Sequence, residues 1–228
     1  MSRRSIATAL AVAAMAGVAA LAQAGPADYV MPIEKHSTAK GRALATKYQP
    51  QLLQFSDYVY HCLPYLEIRN GLGFKRVPKE PADDRYAAVW VRAEQATDAA
   101  FAALPMDRQA SAMFSRYGVP MLRRLSAIPG IQSDPDVYGF SVAVEWIKPG
   151  SDPNRPTMEI LSMFADQGST RAFLAKTLSA GDYVQRMRLT FFDGDKEVGR
   201  LPIEVWEDNF VGTYKVPGYE MEKGKVCS

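Results

Sequence analysis

The clearest alternation of hydrophobic and polar positions in the chain lies in Tyr138–Lys148. Its hydrophobic positions are Phe140, Val142, Val144 and Trp146, and the positions between them are Ser141, Ala143 and Glu145. A period of two is typical of a strand with one buried face. We predict that this strand forms a hairpin with Thr157–Ala165, because the loop between them is rich in Pro, Gly, Asp and Asn.

Helical spacing of hydrophobic residues characterises the N-terminal part of the chain. Ser37 is a suitable N-cap for a first helix that runs through Tyr48. Pro50 is expected to separate this helix from a second one that ends near Cys62. The glycine-containing segment Leu63–Arg76 is interpreted as a short strand or an irregular turn.

The segment Tyr86–Ala93 fits two interpretations. Val89 and Val91 alternate with other residues as in a strand, but the frequent alanines favour a helix from Ala87 onward. Further helices are predicted over Thr97–Leu104, from Asp107 to a break at Gly118, and from Pro120 through Ser126.

Strands dominate the remainder of the predicted structure. A short helix opened by Ser169 or Thr170 is predicted first. A second hairpin follows, formed by Arg186–Phe192 and Val198–Val205. Asn209–Val216 is a candidate fifth strand. Helices followed by strands indicate an α+β fold. We expect N-terminal helices packed on one face of a C-terminal antiparallel sheet of about four to five strands. These elements form one domain over residues 25–228, with an extended lead-in at 25–36 and a tail at 217–228.

Residues 1–24 have the pattern of a secretory signal peptide. Arg3 and Arg4 precede an uncharged, alanine-rich run over Ile6–Leu21, and residues 22–24 form an A-x-A cleavage site. Export to the periplasm or the extracellular space is therefore expected, with no transmembrane segment after cleavage. Cleavage removes two of the 27 basic residues and none of the 25 acidic ones, so the remainder has no formal net charge. A net charge of zero argues against nucleic acid as a partner, because proteins that bind nucleic acid usually carry an excess of basic residues.

The chain has two cysteines, Cys62 and Cys227, and both follow the predicted cleavage site. An even number in an oxidising compartment predicts one disulfide, which would tie the C-terminal tail to the helical part. The alternative is a buried Cys62 and a free thiol at Cys227.

The predicted strand registers place charged residues together. Pairing Trp146 with Met158 puts Glu145 directly opposite Glu159, and pairing Leu189 with Leu201 puts Arg186 opposite Glu204. The polar face of the sheet then carries Glu145, Glu159, Arg186, Arg188, Arg200 and Glu204. Opposed carboxylates repel, so we expect Arg188 to compensate them. This face is interpreted either as a carboxylate pair suited to acid–base chemistry or as the solvated side of the sheet.

No other motif indicates catalysis. His61 lies next to Cys62, but adjacent helical residues point in different directions, and His36 stands alone. We therefore expect no metal site and no cofactor. Trp206 is a candidate exposed anchor for a partner or a sugar. The alternative is that it lies under the C-terminal tail.

The favoured function is that of a non-enzymatic, exported binding or envelope-associated protein whose partner is a protein, an envelope component or a small ligand. A hydrolase using Glu145 and Glu159 is the first alternative. A structural or assembly protein using exposed aromatic residues is the second.

Overall fold

A computed structural model describes residues 25–63, 65–78, 80–93 and 99–205. In this part of the chain, six strands form one sheet in the order β1-β2-β3-β4-β5-β6. The strands are β1 (Leu66–Lys75), β2 (Arg85–Ala93), β3 (Val137–Ile147), β4 (Met158–Asp166), β5 (Arg188–Asp193) and β6 (Lys196–Gly199). The helices are α1 (Ala39–Cys62), α2 (Ala99–Ala102), α3 (Met106–Met113), α4 (Val119–Ser126), α5 (Gln167–Leu174) and α6 (Ala180–Arg186).

Helices and a sheet are present as predicted, but the sheet differs from the expected one. It is larger than four to five strands, and it is mixed, because β2 and β3 run parallel while the other neighbouring pairs are antiparallel. A parallel pair needs a long crossover connection, and here the segment containing α2, α3 and α4 supplies it. The parallel pair was not expected, because the helical interpretation was favoured for the segment that forms β2.

The helix expected from Ala87 onward is wrong, since Arg85–Ala93 is a central strand. Ala87 pairs with Phe74 on one neighbouring strand and with Phe140 on the other. A small residue between two phenylalanines fills the available space without a clash. Tertiary packing therefore overrides the helical propensity of alanine at this strand.

Helix α1 continues through Pro50, so the predicted interruption there is also wrong. The helix begins after Thr38 rather than Ser37, and the Thr38 side chain accepts a hydrogen bond from the Gly41 N–H at 3.1 Å. Pro50 is exposed, so the carbonyl that loses its helical partner is near solvent. One face of the helix is buried throughout, including Leu44, Leu52 and Val59, and this packing holds the two halves in line.

Helices α3 and α4 are joined by a π-helical turn, Phe114–Gly118, in which the N–H of Val119 bonds to the carbonyl of Phe114. The predicted break at Gly118 is wrong, because Gly118 has helical dihedral angles and the chain continues from the π turn directly into α4. Gly118 lies against the sheet, and a Cβ added there would be 2.8 Å from Cε of Met163. The turn thus brings the helical segment close to the sheet.

The strands of the second predicted hairpin have other bounds in the structure, and the predicted pairing of Leu189 with Leu201 lies beyond the end of the ladder. Arg186 ends helix α6, and β5 begins only at Arg188. The turn contains Gly194, with φ +60°, and β6 stops at Gly199 instead of continuing to Val205. The side chains of Leu201, Ile203 and Val205 pack against the core, while the Glu204 N–H donates to Oγ of Ser111 on α3 at 3.0 Å.

The hydrophobic core lies between the helices and one face of the sheet. Large side chains with less than 2 % exposure include Trp146, Phe140 and Phe191 from the strands, and Leu52, Phe114 and Leu125 from the helical side. Across the described ranges, no helix is both long and apolar enough to cross a membrane. The predicted signal peptide, the candidate strand at 209–216 and the tail at 217–228 lie outside the described residues.

Candidate functional site

The predicted register of the first hairpin is wrong by one residue. Trp146 pairs with Glu159 rather than Met158, and Glu145 pairs with Ile160. Because alternate residues of a strand point to opposite faces, the one-residue shift places the two carboxylates on opposite faces of the sheet. The carboxylate pair proposed for a hydrolase is therefore not assembled.

Glu145 lies on the face of the sheet that points away from the core. It is only 5 % exposed, and its Oε1 accepts a hydrogen bond from Nε of Arg92 at 2.6 Å. Nε of Arg69 lies 3.6 Å from the same oxygen. These two arginines, rather than Arg188, compensate the charge of Glu145. Every charged group here has a partner of opposite sign, which is typical of a structural ion-pair network.

Glu159 lies on the core face and is 2 % exposed. Its Oε2 accepts a hydrogen bond from the Trp146 indole N–H at 2.8 Å. Burial raises the pKa of this carboxyl, and the Trp146 hydrogen bond and the Lys148 charge oppose that effect. Lys148 itself is bound to Asp193, with Nζ 2.6 Å from the carboxylate.

The other predicted site residues are dispersed. Arg186 is exposed at the end of α6, Arg188 pairs with Glu80, and Glu204 pairs with Arg108. Arg200 donates to the carbonyls of Met187 and Val184 at 2.8 Å each, so it caps the C-terminal end of α6. Trp206 lies outside the described residues, and its role as an anchor stays a prediction.

The two histidines occupy different environments. His36 is buried, with Nε2 accepting from the Phe74 N–H at 3.3 Å and Nδ1 donating to the Pro32 carbonyl at 3.2 Å. Burial lowers its pKa. His61 lies 3.3 Å from Asp57 on the surface of α1. Within the described ranges, no three His, Cys, Asp or Glu residues are grouped so that they could hold a metal ion. Cys62 is buried at the end of α1, and Cys227 lies outside the described residues.

The strongest candidate site is a cavity of about 600 Å³ in the seam between α1, the start of β1 and the α3–α4 segment. We call it the arginine cavity. It is lined by Tyr58, Leu63, Tyr65, Leu66, Arg116, Tyr117, Pro120, Met121, Arg123, Arg124 and Ala127. Its volume is within the range of small-molecule sites.

Two of the lining residues, Arg116 and Tyr117, come from the π-helical turn. A π turn contains one more residue than an α turn, which rotates the side chains that follow relative to those before it. Such turns occur frequently at functional sites. Here the turn lets Arg116 and Tyr117 line the same cavity as Arg123 and Arg124 one to two turns later.

Arginine and tyrosine side chains stack around the cavity. Cζ of Arg124 lies 3.3 Å from the centre of the Tyr58 ring, and Cζ of Arg116 lies 4.9 Å from the centre of the Tyr117 ring. The rings of Tyr65 and Tyr117 are 5.8 Å apart. Stacking on a ring face orients a guanidinium while leaving its N–H edge available for hydrogen bonds.

The described residues that line the arginine cavity include no Asp or Glu. Among the described residues, Arg123 and Arg124 form no ion pair, and their guanidinium contacts are with the rings of Phe173 and Tyr58. Most other buried or half-buried charges have a partner, as when Asp134 accepts from Lys47 at 2.7 Å and from Tyr48 at 2.9 Å. A guanidinium without a carboxylate beside an aromatic cavity is suited to binding an anion.

The sequence contained a signal for this site that the prediction did not use. Arg116, Arg123 and Arg124 recur at helical spacing around Tyr117. Tyr117 is buried, whereas its neighbour Arg116 is half-buried. The partner surface on α1 and β1 is far away in sequence and depends on the tertiary fold.

No protein family model matches the chain, and neither a curated protein nor a solved structure is similar to it. The function of the arginine cavity is therefore inferred from its own residues.

Proposed function

We propose that this is a non-enzymatic binding protein that holds an organic anion in the arginine cavity. The ligand carries a carboxylate, sulfonate or phosphate group attached to an apolar or aromatic body. The guanidinium groups bind the anionic group, and the rings of Tyr58, Tyr65 and Tyr117 contact the body. This function refines the favoured interpretation of the sequence and places the site at the seam between helices and sheet.

The observation that carries the proposal is the excess of positive charge in an aromatic cavity. None of the described residues that line it is Asp or Glu, and two of its arginines, Arg123 and Arg124, have no ion-pair partner within the described residues. The chain after residue 24 is neutral overall, so this local charge is not a consequence of a basic composition. A charge-assisted hydrogen bond contributes about 1.5–3 kcal/mol, which is enough for selection of anions.

The test uses 8-anilinonaphthalene-1-sulfonate, an aromatic anion whose fluorescence rises on binding. We expect the folded protein to bind it with a stoichiometry of about one. Arg124→Gln is expected to weaken binding about tenfold, because it removes one charge-assisted hydrogen bond. Arg155→Gln is the matched control, because Arg155 is exposed in the β3–β4 loop and the same charge is removed.

Equal affinities in wild type and Arg124→Gln would contradict the proposal, as would an equal loss in Arg155→Gln. Near-ultraviolet circular dichroism checks that each variant keeps its tertiary packing. This control is needed because the dye also binds partially folded states.

We also propose that the protein is exported and that Cys62 and Cys227 form a disulfide. The support is the pattern of residues 1–24, the even number of cysteines after it, and the place of Cys62 at the end of α1. Cys62 immediately precedes Leu63, which lines the arginine cavity.

A further inference from the structure

We infer that residues 25–38 form a pH-sensitive strap, which neutral His36 holds against the rest of the domain and which is released when His36 takes up a proton. The strap contains two short 3₁₀ helices, Pro26–Tyr29 and Ile33–Lys35, and it packs on α1 and on the edge strand β1. The inference does not depend on the arginine cavity.

The strap has few attachments besides His36. All of its residues are described, and His36, at 2 % exposure, is the one that is buried. The Met31 N–H donates to the Leu72 carbonyl at 2.8 Å, and the Pro26 carbonyl accepts from Oγ of Ser56 at 2.6 Å. A segment with so little buried surface opens at a lower free energy than the core does. The strap can therefore leave the domain while α1 and the sheet stay folded.

The hydrogen bonds of His36 require the neutral ring. Nε2 accepts from the Phe74 N–H at 3.3 Å, so the ring proton is on Nδ1, which donates to the Pro32 carbonyl at 3.2 Å. A second proton on Nε2 would place two N–H groups against each other and abolish the bond to Phe74. The ring lies tightly against β1, because a Cβ added at Gly73 would be 3.0 Å from Nε2.

Two arginines lie beside His36 and disfavour its protonation. Nη1 of Arg42, on α1, donates to the His36 carbonyl at 3.0 Å. Arg85, at the start of β2, is only 3 % exposed. A Cβ added at Gly41 would be 3.1 Å from Cζ of Arg85 and 3.4 Å from Cβ of His36, so these two side chains flank the same point. Both guanidinium groups repel a further positive charge at the ring.

The other charged groups of the surrounding elements do not offset this repulsion. Asp83 is bound to Nε of Arg85 at 2.6 Å, so its carboxylate compensates that guanidinium. Glu34, on the strap itself, is exposed. Lys35 on the strap and Lys75 on β1 are further cations. The histidine is therefore accommodated in its neutral form.

The direction of the pH effect follows from these contacts. Burial, together with Arg85 and Arg42, lowers the pKa of His36 below its ordinary value of 6.5. In the released strap the ring is solvated and has its ordinary pKa. The released state then binds more protons than the attached state, so the free energy of strap opening falls as the pH drops from about 6.5 through the lowered pKa.

Release of the strap changes the edge of the sheet. The pairing of β1 with β2 is interrupted between Arg69 and Gly73, and the strap lies over this interruption, where Val30 forms a β-bridge with Leu72. Once the strap has left, the Leu72 carbonyl is open to water or to another strand. Protonation of His36 thus controls access to the edge of β1.

The experiment measures amide hydrogen exchange by NMR on the full exported chain at pH 7 and pH 5. Each rate is divided by the intrinsic exchange rate at that pH to give a protection factor. We expect the protection factors of Met31 and Phe74 to fall at least about fivefold from pH 7 to pH 5. At pH 5 the protection factor of Val142, in the central strand β3, should still be at least about 100-fold higher than that of Met31.

The chain has two histidines, which provide a matched pair of variants. In His36→Gln, an amide oxygen accepts from Phe74 and does not titrate, so the change between pH 7 and pH 5 should be less than about twofold. His61→Gln, on the surface of α1, should keep the full change. In this second variant His36 is the single imidazole, and its NMR titration should have a midpoint below pH 6.5.

Four results would overturn the inference. Equal protection of Met31 at pH 7 and pH 5 in wild type would show that the strap does not respond to acid. A loss in His36→Gln as large as in wild type would assign the response to another group. Equal protection of Met31 and Val142 would show that the strap opens only when the whole domain unfolds. A His36 titration midpoint at or above pH 6.5 in His61→Gln would show that the attached strap does not favour the neutral ring, and this test stands even if His36→Gln does not fold.

Discussion

At the scale of single residues, two glutamates of neighbouring strands lie in opposite environments, and we expect opposite effects on stability. Glu145 contacts two arginines on the outer face of the sheet, whereas Glu159 lies in the core beside Trp146. A one-residue register shift separates these environments. The consequences can be measured because a glutamine at either position preserves the shape of the side chain and removes only the charge.

We expect Glu159→Gln to stabilise the protein at pH 7 on the order of 1 kcal/mol, because the buried charge is removed and the glutamine oxygen still accepts from Trp146. The pKa of Glu159 is raised from 4.5 by burial, so the folded state binds more protons than the unfolded state just above that pH. The free energy of unfolding of wild type therefore falls as the pH rises from about 4.5 through the raised pKa. Urea denaturation from pH 4 to pH 8 measures this slope.

Glu145→Gln is the matched comparison for the same measurement. It removes the charge that accepts from Arg92 at 2.6 Å, so we expect a loss of about 1–3 kcal/mol at pH 7. Destabilisation of similar size by both variants would show that Glu159 is not a buried charge with a raised pKa.

At the scale of elements, local propensity and tertiary packing favour different structures in several segments. The alanines of β2 favour a helix but lie between large side chains of β1 and β3. Pro50 favours a helix end, but α1 continues because its buried face is continuous. Strand β3, by contrast, follows directly from its local pattern. The predicted opening of α5 at Ser169 or Thr170 is wrong, because Asp166 caps the helix and its carboxylate accepts from the Ser169 N–H at 2.7 Å.

The pairing of β3 with β4 depends on Gly139. A Cβ at this position would lie 2.1 Å from the backbone oxygen of Ala165, which cannot move without breaking the ladder. We expect Gly139→Ala to destabilise the protein by about 2–3 kcal/mol, measured as a lower urea midpoint at an unchanged slope.

Gly181→Ala is the control for the loss of a glycine. Gly181 lies in α6, and a Cβ there meets nothing within 4 Å. Alanine in a helix is expected to stabilise by about 0.5–1 kcal/mol. An unchanged free energy of unfolding in Gly139→Ala would show that β3 and β4 are farther apart at Gly139 than in the structure.

At the scale of the whole molecule, segments distant in sequence meet at the seam between α1 and α4. The arginine cavity combines the C-terminal half of α1, the start of β1 and the crossover between β2 and β3. The crossover is required by the parallel pair, so the same feature that makes the sheet mixed also forms the wall of the cavity. Cys62, next to this wall, is the predicted attachment point of the C-terminal tail.

The disulfide is tested by Cys227→Ser, which leaves the buried Cys62 in place. If the bond forms, the variant and the reduced wild type should each lose about 2–5 kcal/mol of unfolding free energy, and reduction should not destabilise the variant further. Two reactive thiols in the unreduced, unfolded wild type would exclude the bond.

Local patterns in the chain predict the α+β class, strand β3, the placement of most helices and the two β-hairpin turns, because each depends on hydrophobic period and turn residues that act locally. The register of β4, the parallel pairing of β2 and the arrangement of the arginines depend instead on long-range packing. Met158, Ile160 and Phe164 made one face of β4 look like the core face, yet Leu161, Met163 and Ala165 are the buried set. Both faces of that strand carry hydrophobic residues, so local pattern could not choose between them, and packing against Trp146 and the helices did.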